Sequence, residues 1–297
     1  MKPSDTPSIM RFVLLALVPG VLMMLPWLGW ALLVQVALAA AFGIGIEAAC
    51  LRLRGAALKP HLLDGSAVVS AVLIALCLPP GVPWYLLAIA LAGGIGLAKH
   101  AYGGMGNNLL NPAMAGYALV LVAFPSDLAT WVVDGVTAAT PLEVFRFRGA
   151  STVAEVWPHA FGVVGGIGWE WMNLGFLIGG LCLLAIGIIR WQAPVAFLVS
   201  LVVCASFGYD GGSSSSLGSP TMHLFTGGTM LCAWFVVTDP VTAPASARGR
   251  LIFGALIGVL VFLIRSFGAY ADGIAFAVLL GNISAPLIDE FVRRKWA

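Results

Sequence analysis

The chain has 297 residues, of which 60% are hydrophobic and only 9% charged, with 15 basic and 13 acidic side chains. Soluble domains run about 45–50% apolar and about 25% charged, so this chain carries too few charges to coat a water-soluble globule. The same numbers exclude intrinsic disorder, a collagen-like chain and a secreted disulfide scaffold, and they predict a multi-pass membrane protein, for which lipid is the matching solvent.

The apolar runs are near-continuous rather than alternating, which predicts helices as the spanning element. About ten spans are expected, at 12–28, 30–51, 62–79, 83–101, 109–124, 174–190, 193–208, 224–240, 250–267 and 272–290. The first run follows Lys2 and Arg11, and an Ala-Leu-Ala-Ala stretch lies at 37–40, as at a signal-peptide cleavage site. The apolar stretch before it is about twice a signal h-region, so two retained helices are expected instead. In the second span Gly43-Ile44-Gly45-Ile46-Glu47-Ala48 matches a dinucleotide-binding pattern without the preceding strand that gives it meaning. Close helix packing is the expected use of those glycines.

Glu47, Lys99, Asp239 and Asp272 fall near span ends, where they are expected to snorkel. With no carboxylate at the centre of a span, a simple carboxylate proton relay is not expected. At the end of the fourth span, the segment 103–112 (GGMGNNLLNP) brings together Asn107, Asn108 and Asn111. It reads either as a turn in which Asn111 caps a helix with Pro112 at its first position, or as such a cap that also contacts a ligand. The segment 125–173 is the one long connection, holding five of the 13 acids, and long connections are usually functional or disordered. The GGSSSS stretch between Tyr209 and His223 reads as flexible linker. No metal or haem site is expected. The four histidines lie at helix ends or in loops, and the five cysteines stand singly within apolar spans, where Cys behaves as a small apolar residue.

Direction follows from Lys and Arg. With both termini inside, only Arg146, Arg148 and Arg265 of the 15 basic residues fall outside, and the segment 125–173 lies outside with them. At an offset of 161, Pro79 falls on Pro240, Pro83 on Pro244, Pro125 on Pro286, Gly93 on Gly254 and Asn111 on Asp272. An odd number of spans per copy predicts an inverted-topology repeat, the architecture of proteins that hold a ligand near the midplane and expose it alternately. The expectation is therefore an all-α polytopic membrane protein, N-in/C-in, with residues 1–124 as a first five-helix half, 125–173 as an outer loop and 174–297 as a second half. Prolines punctuating helix ends are the alternative source of these coincidences.

The outer loop contains Asp134-Gly135-Val136-Thr137-Ala138-Ala139-Thr140-Pro141-Leu142. This run resembles the site where a flavin transferase attaches FMN, through its phosphate, to the last threonine. Taken with Asn-Pro-Ala-Met-Ala-Gly-Tyr at 111–117 and Asp-Gly-Ile-Ala-Phe-Ala-Val-Leu-Leu at 272–280, the chain resembles, over essentially its whole length, the D subunit of the Rnf ion-translocating oxidoreductase complex. It is also similar to the B subunit of the sodium-translocating NADH:quinone reductase, which has a longer extension before its first span. One departure is Ala138, where the family motif often has Gly.

The resemblance implies FMN as a phosphoester on Thr140, making the chain a flavoprotein and phosphoprotein, with Asp134 and Thr137 read by the transferase. It implies a second flavin, riboflavin, near the cytoplasmic edge, for which Asn107, Asn108 and Asn111 are the candidate contacts. It further implies a bacterial inner-membrane location with Thr140 on the periplasmic side, and the other Rnf subunits (A, B, C, E and G), the transferase and the bilayer as partners, with no nucleic acid. The function implied is coupling of electron transfer between NADH and ferredoxin to cation movement, as a subunit not active alone. From the residues by themselves, a non-redox channel or carrier for a small solute and a structural anchor subunit remain open.

Overall fold

The computed structural model describes residues 5–133 and 136–296. It is mostly helical. Four helices are long and apolar enough to cross a membrane: α1 (Thr6–Leu28), α2 (Ala31–Leu53), α14 (Ala247–Phe267) and α15 (Ile274–Trp296). Shorter apolar helices lie between them. α4 (Ser66–Cys77) follows the single turn α3 (Leu58–Leu62), and α5 (Trp84–Leu91) runs on into a π-helical stretch (Ala92–His100). Then come α6 (Pro112–Ala123), α10 (Trp169–Ala185) and α11 (Gln192–Gly208). The connection between α6 and α10 holds α7 (Pro125–Leu128), β1 (Thr130–Val133), β2 (Val136–Ala139), α8 (Pro141–Arg146) and α9 (Val153–Ala160). After α11, α12 (Pro220–Leu224) is separated by a break from α13 (Thr229–Leu231), which continues as π-helical Cys232–Val236.

The helices pack in a few dominant pairs, α1 on α10, α11 on α14, α2 on α4 and α14 on α15. Small residues make those approaches close. A Cβ on Gly43 of α2 would lie 2.7 Å from the Ala71 Cβ of α4, and one on Gly179 of α10 would fall on the Ala16 carbonyl of α1. The glycine pattern in α2 is therefore helix packing, as expected from its context. Phe197, Phe253, Leu32 and Ile74 are fully buried between the helices, while Leu15, Leu22, Val34 and Leu287 stay exposed along them. Apolar side chains on the outside are what a lipid-facing surface requires.

Four expectations change. The connection between α6 and α10, expected as a long loop, is folded, and its hairpin amends the all-α reading. In that hairpin Thr130 pairs with Ala139 and Val133 with Val136. The span expected from 62 begins at Ser66, because Gly65 takes φ +79° and Asp64 Oδ1 accepts the Ser66 N–H at 2.7 Å. The span expected at 224–240 is interrupted. Gly227 takes φ +65°, and polar side chains satisfy the backbone groups that the break exposes. Finally, the Gly/Ser segment after α11 is held down by hydrogen bonds. Asp210 accepts from the N–H groups of Gly212 (3.2 Å) and Ser213 (3.1 Å), and Arg148 Nη2 donates to the Ser214 carbonyl at 3.0 Å. The Ser213 hydroxyl, first among these donors, holds the Asp210 carboxyl down at about 2.

Candidate functional site: two cavities at opposite ends of the helices

Thr140 stands at the start of α8, one residue beyond the last rung of the hairpin. Its φ of −65° and ψ of 153° are those of an N-cap, and Pro141 occupies the first helical position. The cap is reciprocal: Glu143 N–H donates to Thr140 Oγ1 at 3.3 Å, and Thr140 N–H donates to Glu143 Oε2 at 2.8 Å. The Thr140 hydroxyl also donates to Glu143 Oε2, at 3.0 Å. Leu142 and Phe145 anchor the helix in a small cluster of their own with Phe161, Val153, Ala160 and Met222. Thr140 is thereby fixed at the edge of a cavity of about 260 Å³.

That cavity lies against the C-terminal end of α6 and the N-terminal end of α10. Its walls are mainly apolar and carry the rings of Tyr117, Trp131, Phe147, Trp169 and Tyr270; those of Trp131 and Trp169 meet edge to face at 5.0 Å. It is also lined by the broken segment Thr226–Gly228 and by Asp272. Arg265, buried, holds this wall: it contacts Asp272 Oδ1 at 3.0 Å and donates to the His223 carbonyl at 2.9 Å and the Thr229 hydroxyl at 3.0 Å. Asp272 Oδ2 accepts the Gly228 N–H at 3.2 Å, and Asn173 bridges the break from the Met230 N–H to the Gly227 carbonyl, each at 2.9 Å. In an apolar surround each unpaired backbone group would cost several kcal/mol, on the order of 4–8, so Arg265, Asp272 and Asn173 are what make the break tolerable.

A second cavity, about 320 Å³, lies at the other end, against the N-terminal ends of α4 and α6 and the C-terminal end of α10. Asn108 and Asn111 line it; Asn107 does not, being exposed, with its side-chain amide donating to the Gly103 carbonyl at 3.5 Å. Asn111 caps α6 as the residue pattern predicts, its Oδ1 accepting from Ala113 N–H (3.0 Å) and Met114 N–H (3.1 Å). Its Nδ2 donates to Asp239 Oδ2 at 3.2 Å and its N–H to Asn282 Oδ1 at 2.9 Å, tying α6 to the end of α13 and to α15.

Lys99 and Ser66, which line the same cavity, belong to a buried cluster that sequence reasoning missed. Glu47 and Lys99 do not snorkel. Both are buried, 2% and 3% exposed, with Lys99 Nζ 2.8 Å from Glu47 Oε1 and donating to Ser66 Oγ at 2.9 Å. His100 Nε2 lies 2.9 Å from Glu47 Oε2, and Arg54 Nη1 lies 3.0 Å from His100 Nδ1. The pair joins the second expected span to the fourth, so no neighbouring pattern in the sequence signals it. Of the attachment motif, Asp134 lies outside the described residues, and Thr137 stands on β2 opposite Val132. Among the described residues no group of three His, Cys, Asp or Glu is placed to hold a metal ion.

Comparison with known proteins agrees with this architecture over the full length. The model of the NQR2, RnfD, RnfE family matches residues 1–297. The chain is 44% identical to the D subunit of the ion-translocating oxidoreductase complex of Aeromonas hydrophila, over 98% of this chain and 94% of that one. It is 42% identical to the protein of the same name from Escherichia fergusonii, over 97% and 93%, and 43% identical to that of Klebsiella pneumoniae, over 97% and 94%. With identity of this order across essentially every element described above, the chain belongs to the NQR2, RnfD, RnfE family, among the D subunits of ion-translocating oxidoreductase complexes.

Proposed function

We propose that this chain is the membrane subunit of an Rnf-type electron-transport complex and that Thr140 carries FMN as a phosphoester, coupling electron transfer between NADH and ferredoxin to cation movement. The observation that carries this is Thr140, within the attachment-like run 134–142, at the edge of a mainly apolar cavity that presents several aromatic rings. A flat ring tethered at residue 140 has Trp131, Trp169, Tyr117 and Tyr270 to pack against, and attachment through phosphate leaves that ring free. The flavin, when bound, supplies one- and two-electron chemistry. The protein's own part is to anchor it at the capped start of α8, to exclude water with the tryptophans, and to set the local charge through Asp272, held by Arg265. Asp134 and Thr137 belong to the sequence read by the flavin transferase.

The second cavity is the site we assign to riboflavin, with Asn108 and Asn111 in its wall and Asn107 outside it. Two inverted five-helix halves are supported by the helix starts. Ala31 of α2 and Gln192 of α11 are 161 residues apart, and the starts of α1, α4, α5 and α6 recur at that offset within two residues in α10, α13, α14 and α15. Both termini are assigned to the cytoplasm of a bacterial inner membrane and Thr140 to the periplasmic side, because the Thr140 end holds only Arg146, Arg148 and Arg265 of the basic residues. Its partners are then the A, B, C, E and G subunits.

Protein co-produced with its transferase, denatured and run on a gel, is expected to fluoresce as a flavin, and Thr140→Ala is expected to remove the signal completely. Intact mass should exceed the chain's own by one FMN less water. A bare Thr140 in the assembled complex would overturn the assignment.

A further inference from the structure

The Thr140 hydroxyl is engaged in more than a helix cap requires. A capping box needs two bonds, the N3 amide to the N-cap oxygen and the N-cap amide to the N3 side chain. The neighbouring box at the start of α9 has those two: Thr152 N–H to Glu155 Oε2 at 2.8 Å and Glu155 N–H to Thr152 Oγ1 at 3.3 Å. The box at Thr140 repeats both distances and adds a third bond, in which the Thr140 hydroxyl proton points at Glu143 Oε2 across 3.0 Å. The two boxes thus differ at one atom pair, and that pair includes the oxygen to which the flavin would be joined. A separation of 3.0 Å is within the roughly 2.6–3.2 Å reach required of a general base. One lone pair of Oγ1 accepts from Glu143 N–H; the other is uncommitted and can serve as the nucleophile.

We propose that Glu143 is the proton acceptor in phosphoester formation at Thr140, so that the acceptor chain brings its own base to the transferase. The inference rests on the attachment reading above. An alcohol forms a phosphoester only at a phosphorus bearing a leaving group, so the donor is a flavin phosphoanhydride, flavin adenine dinucleotide. Thr140 Oγ1 attacks the phosphorus on the riboflavin side, forming the new O–P bond. The P–O bond to the adenylate half breaks and AMP leaves with its electron pair, while the hydroxyl proton passes to Glu143 Oε2. No atom changes oxidation state. Glu143 keeps its bond from the Thr140 amide throughout, so α8 retains its start after modification.

The test uses the full-length chain made without its transferase and purified in detergent. It is incubated with purified transferase, flavin adenine dinucleotide and Mg²⁺, and covalent flavin is followed by in-gel fluorescence and intact mass. Glu143→Gln preserves the capping acceptor, since Gln serves as well as Glu in a capping box, but it cannot take the proton. A base is expected to contribute about 10²-fold or more, so E143Q and E143A should both label at least about tenfold more slowly than the natural chain, with E155A unchanged. If E143Q labels at the natural rate and only E143A is slow, Glu143 is a cap and the proposal is overturned. Equal slowing of E143Q and E155A overturns it too. A natural chain that takes no label overturns the attachment reading itself, an outcome distinct from the other two.

Discussion

At the scale of single residues the most consequential group is a buried pair. Lys99 and Glu47 sit on the π-helical end of α5 and on α2 with almost no exposure, each providing the other's counter-charge, and Ser66 takes a further proton of the ammonium. Removing one member of a buried pair leaves an uncompensated charge, which costs about 3–5 kcal/mol, whereas replacing both with apolar groups is often neutral. Lys99→Met is therefore expected to lower the melting temperature in detergent sharply, and a Lys99→Met/Glu47→Met double variant to recover most of the loss. Equal stability of single and double variants would mean the two charges do not depend on each other. Residue-level chemistry was unevenly legible in the sequence. Asn111 before Pro112 announces its cap by type and position alone. The Glu47–Lys99 contact spans 52 positions and depends on how α2 packs against the π-helical end of α5, which no local pattern encodes.

Among elements, the helices were legible because continuous apolar runs admit little else in lipid, while their interruptions were not. The break at Thr226–Gly228 depends on Arg265, Asp272 and Asn173 arriving from other parts of the chain to satisfy it. The hairpin had a local signal: Asp134-Gly135 between Thr-Trp-Val-Val and Val-Thr is the dipeptide favoured in two-residue hairpin loops. The three asparagines at 107–111 are separated by their elements. Asn111→Ala deletes the cap of α6 and its ties to Asp239 and Asn282, and should cost at least about 1 kcal/mol. Asn107→Ala, an exposed turn position, should stay within about 0.5 kcal/mol. Thermal unfolding of the two variants side by side checks this, and equal losses would reverse the assignment.

For the whole molecule, composition alone identified the solvent, and the distribution of Lys and Arg carries an orientation that can be measured directly. Ser214→Cys, on the side of Thr140, is expected to react with a membrane-impermeant maleimide in intact cells. Arg294→Cys, near the end of α15, is expected to react only after the cells are opened. The opposite pattern would put Thr140 in the cytosol and overturn the proposed orientation. The two cavities lie at opposite ends of the same helices, α6 and α10 contributing to both. This shared wall was not legible in sequence, because residues as far apart as Tyr117, Trp169 and Asp272 meet only once the helices have packed.

The pairing of Thr130 with Ala139 and Val133 with Val136 leaves Thr140 as the first position past the ladder. Side chains on a strand alternate between faces, so a shift of one residue would turn the whole set over. The number of residues from the hairpin to the threonine is therefore a ruler: changing it by one would displace Thr140 relative to the ladder, even with every letter of the surrounding run intact. An enzyme that modified Thr140 would read a spacing as much as a spelling.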